Sequence, residues 1–205
     1  MKILAMVAAI AGVAGTASAR KVEKVEIPAG PAIPVCVERA PSMSELIKAE
    51  GFASKMFAAA GVTIEWRTLN VCPADGIRIG ISRGESHAYG YALPYEGTHI
   101  VLCWDWIADA TTPWVFPYFL AHLLVHEITH ILQGVARHSH IGVMKARFSR
   151  KEIDEMEFFS MPFTAEDLAL IHSGIEARQT RTAQIADQAA VASSGETPVG
   201  QQDRP

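Results

Sequence analysis

Apolar residues recur along this chain in two distinct rhythms. Short runs, β-branched or apolar throughout, occupy residues 33–37 (IPVCV), 62–66 (VTIEW), 77–82 (IRIGIS) and 99–104 (HIVLCW). Runs of this length predict strands, and the last, apolar along most of its length, reads as a strand inside a sheet. Between the first two runs, Leu46, Ala49, Ala53, Met56, Phe57 and Ala60 recur at spacings of three and four, which predicts a helix. Ser42 or Ser44 is its candidate cap and Gly61 its stop. A second helix should begin between Thr112 and Pro117 and run through YFLAHLLVHEITHILQ to Gly134, because proline is tolerated in a first turn and not in a helix interior. A third should begin at Thr164, where TAED resembles a capping box with Asp in place of Glu. Residues 82–98 (SRGESHAYGYALPYEGT) are rich in Gly and Tyr and read as a long loop, of a length that is usually functional or mobile.

The two ends carry different patterns. Lys2, an apolar run from Ile3 to Val13 and then Ala17-Ser18-Ala19 match the three regions of a secretory signal peptide, so residues 1–19 are expected to be removed on export. The run is too short to span a bilayer. Residues 20–32, charged and then Pro/Gly-rich, form a lead-in segment to a single domain expected over 33–178. From about Thr180 the chain lacks aromatic residues and drifts into Ser, Gly, Pro and Gln, which predicts a disordered tail over 179–205. The protein is thus expected to be secreted or periplasmic, without stable membrane insertion after cleavage.

Composition narrows the function. The net charge is −4 with no basic block, which argues against nucleic acid as a partner. Export makes one disulfide among Cys36, Cys72 and Cys103 plausible, with one thiol left over and the pairing open.

The chemistry concentrates in HEITH, residues 126–130. Residues four apart on a helix share a face, so His126 and His130 can reach one metal ion. Glu127, rotated by about 100° from His126, need not be a ligand and can instead accept a proton from water beside the metal. Two His and one Glu on an otherwise apolar helix would be costly without partners or a metal. A catalytic zinc needs a third protein ligand. His138 and His140, just beyond the permissive Gly134, are candidates, and Glu152, Asp154, Glu155 and Glu157 are carboxylate alternatives. His122, one turn before His126, is too far along the same straight helix and reads as packing or support. Tyr89, Tyr91 and Tyr95 are weaker candidates for stabilising an oxyanion. His87 and His99 read as surface or strand residues, Trp104, Trp106 and Trp114 as core packing, and Cys103 as structural.

The stretch HEITHILQGVARHSHIGVMKARFSRKEI resembles the zincin metallopeptidases, and within them a metzincin-like group of small exported bacterial proteins. The shared pattern is His126, Glu127, His130, Gly134, His138-Ser139, Gly142-Val143-Met144 and the segment Lys145 to Phe148; AAAGVTIEWR and YGYALPYEGTHIVLCWDWI are similar to the same group. The resemblance covers roughly residues 33–175. It implies an α+β, zincin-like fold: a small twisted mixed sheet packed on an active-site helix, plus a C-terminal helix. It further implies one Zn2+ per chain, with His138 as third ligand (His140 the alternative), Met144 beneath the metal and Glu127 as general base. The connection from His130 to His138 is two residues longer than the usual metzincin spacing, and no tyrosine follows Met144 directly. The implied activity is zinc-dependent hydrolysis of peptide bonds in a peptide or protein substrate. The alternatives are a catalytically silent zincin-like peptide-binding protein and a zinc amidase acting on cell-wall peptides.

Overall fold

The computed structural model describes residues 32–84 and 88–194. The expected signal peptide, residues 20–31 of the lead-in segment, His87 and residues 195–205 lie outside them. The described chain folds as an α+β unit around one mixed sheet. Its strands are β1 (Ile33–Val37), β2 (Ile64–Thr68), β3 (Ile77–Ser82), β4 (Gly90–Leu93) and β5 (His99–Cys103), in the spatial order β2-β1-β3-β5-β4. Four run parallel, and β4 pairs antiparallel with β5 at one edge.

Helix α1 (Met43–Ala59) crosses from β1 to β2 and buries the expected stripe of Leu46, Ala49, Ala53, Met56 and Phe57. Ser42 stands at its N-cap position, but its hydroxyl faces that of Ser44 and caps no backbone group. Gly61 ends the connection at φ +74°, in the left-handed region that glycine adopts freely.

Helix α3 (Phe116–Gln133) is the centre of the molecule. It begins with Pro117 in its first turn and ends at Gly134, whose φ is +67° and whose N–H donates to the His130 carbonyl. Nearly every residue on it is buried, so it is covered on all sides, by α1, β4, β5 and the C-terminal helix that begins at Ala165. Each fully buried Leu or Phe on it, such as Leu120, Leu124 or Phe119, contributes about 1.5–3 kcal/mol through removal from water. Among the described residues, no helix is long and apolar enough to cross a membrane.

Several elements depart from the expectations. The Gly/Tyr-rich segment contains strand β4 and a turn in which Glu96 and Gly97 donate to the Leu93 carbonyl. Trp104 opens a short helix, α2 (Trp104–Asp109), instead of ending a strand. Another short helix, α4 (Arg150–Glu155), starts with a capping box between Ser149 and Glu152. Trp104 packs in the core as expected, whereas Trp106 is partly exposed and Trp114 is 72% exposed. Cys36 pairs with Cys72, and Cys103 is buried outside the disulfide. A Cβ on Gly76 would stand 2.7 Å from Cys72 Sγ, so this glycine makes room for the bridge.

Helix α5 (Ala165–Ser194) runs past residue 179 to Ser194, into the segment expected to be a disordered tail. Its first half packs on α3, close enough that a Cβ on Gly174 would run into the Leu132 carbonyl. Arg178 is the last anchor, donating to the carbonyls of Gly97 (2.5 Å) and Asp75 (2.7 Å). From 179 to 190 every residue is exposed, consistent with the polar composition that suggested disorder.

Candidate metal centre

One turn of α3 sets His126 above His130, and both side chains are buried beneath a cleft. Each ring has one nitrogen committed to a backbone carbonyl. His126 Nδ1 lies 2.8 Å from the Val143 oxygen, and His130 Nδ1 lies 3.2 Å from the Val135 oxygen. A carbonyl oxygen only accepts, so both Nδ1 atoms carry the proton and donate. In the neutral rings both Nε2 atoms are then bare, and they face each other at 3.1 Å. Two lone pairs so close repel unless a cation lies between them. Two nitrogens on one tetrahedral zinc would stand about 3.3 Å apart.

The chain after Gly134 turns back and brings in the third ring. His138 stacks on His126 with centroids 5.2 Å apart and meets His130 edge-on at 4.9 Å. One ligand nitrogen from each of His126, His130 and His138 lies within 4.8 Å of the others. His140, two residues on, is exposed and outside this group. The carboxylate alternatives are outside it too. Glu152 is bound by Lys145 and Ser149, while Asp154 and Glu155 pair with Arg150 and Lys151. His122 is buried with both nitrogens engaged, by the Tyr118 carbonyl (2.7 Å) and the Met161 N–H (3.1 Å), which matches a supporting role. His99 is exposed beside Glu96 on β5.

The loop that carries His138 closes on itself. Ser139 N–H donates to the Met144 carbonyl at 2.8 Å, and Val143 N–H donates to the Pro162 carbonyl at 3.0 Å. Gly142, at φ +78°, lets the turn form where a Cβ would run into that same Pro162 oxygen. Met144 is fully buried in this turn, and the adjacent Val143 carbonyl orients His126.

Glu127 is 6% exposed and lies on the same cleft. Burial alone pushes its carboxyl up to about 8. Burial pushes the imidazoles the other way: His126 falls to about 4, offset in part by the Val143 carbonyl and reinforced by its two neighbouring rings, and His130 and His138 are also lowered. The pocket therefore keeps the three rings neutral and ready to ligate, and disfavours a lone carboxylate. A divalent charge would act on Glu127 in the opposite direction and restore its ionised form. The donor set, its neutrality and the facing Nε2 atoms all fit zinc.

The cleft holds about 590 Å³. Its lining includes β4 with Tyr89 just before it, and the segment from Lys145 to Phe148. Tyr89 packs edge-on against Phe119, Tyr91 is half-exposed on the cleft wall, and Tyr95 is 83% exposed and not part of that wall. Gly90 leaves no room for a Cβ beside β5, where it would meet Leu102 at 2.9 Å and the Val101 carbonyl at 3.0 Å, while the Glu127 Cγ would lie at an ordinary 3.5 Å. Sequence reasoning missed β4; the alternation in YGYAL followed by the turn residues PYEGT was the available signal.

No protein-family model and no curated protein matches this sequence. Among solved structures, the chain is similar to the crystal structure of archaemetzincin from Methanopyrus kandleri, with a TM-score of 0.54 and 14% identity over 73% of this chain and 99% of that one. Likeness at this identity speaks for the fold, and the fold of this chain is accordingly α+β and zincin-like.

Proposed function

We propose that this chain is a zinc-dependent metallopeptidase. The observation that carries the reading is the pair of bare Nε2 atoms 3.1 Å apart, completed by His138 and bordered by the buried Glu127. His126, His130 and His138 would hold the ion, which when bound supplies Lewis acidity to a scissile carbonyl and to water. Glu127 takes a proton from the attacking water and later gives it to the leaving amine, a role suited to a buried carboxylate on the cleft beside the ion. Strand β4 has β5 on one side and the cleft on the other, so its outer edge can bind an extended peptide through main-chain hydrogen bonds. Tyr89 and Tyr91 are near enough to the cleft to contact such a substrate. Export is part of the proposal and is supported by the N-terminal pattern and the Cys36–Cys72 disulfide.

The test is cleavage of a mixed peptide library by the zinc-loaded chain, with and without a chelator. Metal-dependent cleavage is expected. Zinc bound without any cleavage would favour the silent peptide-binding reading instead, and cleavage that survives complete metal removal would contradict the proposal.

A further inference from the structure

His126 and His130 are each oriented by a carbonyl, but among the described residues no hydrogen bond reaches the His138 ring. An exposed ligand on a loop, with no bond of its own to fix its ring, must be placed by its neighbours. Both of those neighbours reach the same atom. Arg137 Nη1 donates to Asp167 Oδ1 at 2.8 Å, and Ser139 Oγ donates to that oxygen at 2.7 Å. The other oxygen, Oδ2, accepts from Thr164 N–H at 3.0 Å and Thr164 Oγ1 at 2.7 Å. Asp167 is fully buried. An ionised carboxylate offers about four lone-pair sites, and here each oxygen accepts two hydrogen bonds. A helix cap needs only the Oδ2 half; the Oδ1 half serves the loop.

We propose that Asp167 is a positioning residue, which clamps the chain on both sides of His138 and holds that ring in reach of the metal. This rests on the reading of His126, His130 and His138 as ligands. The same segment also holds the start of the loop, since Gln133 Nε2 donates to the Asp167 carbonyl at 3.3 Å and Arg137 Nη2 to Glu166 at 2.6 Å. The clamp thus ties the end of α3, the ligand loop and the first turn of α5 into one unit, so the third ligand is placed before any metal arrives.

The test compares Asp167→Asn and Ser139→Ala with Thr164→Ala, which weakens the cap and leaves the Oδ1 contacts in place. Zinc affinity is measured by competition with a chromophoric chelator, and cobalt-substituted protein reports the ligand field by its visible absorption. Asp167→Asn and Ser139→Ala should each weaken zinc binding by about 10–100-fold and alter the cobalt spectrum, while Thr164→Ala lowers the melting temperature and leaves both unchanged. In metal-free protein, hydrogen exchange at the Ser139 amide should accelerate in the first two variants only. Zinc affinity within about twofold of the parent in folded Ser139→Ala and Asp167→Asn overturns the clamp and leaves the metal centre standing. Equal weakening by Thr164→Ala overturns it too, since that marks a general effect of the cap. A parent chain that binds no zinc overturns the centre and the clamp together.

Discussion

The two halves of the candidate centre are built by different physics. His126 and His130 owe their relation to helical spacing alone, and each is buried with its second nitrogen on a carbonyl. His138 is exposed, sits on a loop and reaches the group through turns, a buried carboxylate and the start of α5. A pair fixed by helix geometry survives most changes elsewhere. A loop ligand depends on tertiary bonds, and those bonds can be removed one at a time without touching a ligand.

The largest effect should come from the helical half. Glu127→Gln keeps the shape of the side chain and removes the base, so turnover on a cleaved peptide should drop by about 10²–10⁴-fold while zinc content by elemental analysis stays constant. Turnover equal to that of the parent would remove Glu127 from the chemistry.

Next in size is damage to the turn that joins the two halves. Gly142→Ala adds a Cβ that meets the Pro162 carbonyl at a backbone φ of +78°. Strain of this kind costs about 1–3 kcal/mol, read from the denaturant midpoint. Because the neighbouring Val143 carbonyl orients His126, zinc affinity should fall along with stability. A variant as stable as the parent would show that the turn is looser than described.

Acid also bears on the loop half, through Asp167. Burial raises Asp167, but hydrogen bonds from Thr164, Ser139 and Arg137 outweigh it and hold the carboxyl below its ordinary value. Its folded-state value is therefore lower than in the unfolded chain, so its contribution to stability is present above the ordinary aspartate range and is lost as pH falls below about 4. Chemical denaturation across that range should show a slope that Asp167→Asn reduces; an unchanged slope would assign the acid sensitivity to other groups.

The smallest effect concerns the far end of α5. Ending the chain after Arg178 removes only exposed side chains through residue 190. The melting temperature and zinc affinity should hold, with stability changed by less than about 0.5 kcal/mol. A larger loss would mean that the outer half of the helix contributes to the fold.

Legibility in the sequence followed the same division. The period of α1 and α3, the stop at Gly134 and the pairing of His126 with His130 are local properties, and local patterns reveal them. The Thr164–Asp167 capping box was legible for the same reason. The choice of His138 over His140 came from a resemblance, because no local rule says which residue of a loop turns inwards. The second role of Asp167 was invisible: its partners Arg137 and Ser139 lie about thirty residues away in the chain. Strand β4 was missed because four residues with two exposed positions carry little hydrophobic signal. The outer part of α5 is not legible as helix because a helix without a buried face looks in composition like an unfolded segment.

Zinc content measures most directly whether three imidazoles share one divalent ion. The parent chain and its His138→Ala and His140→Ala variants, each equilibrated with zinc and freed of excess metal, are compared by elemental analysis. The expected result is one zinc per chain in the parent and in His140→Ala, with zinc lost from His138→Ala. A parent that retains no zinc, or a His138→Ala variant that retains as much as the parent, would contradict the account.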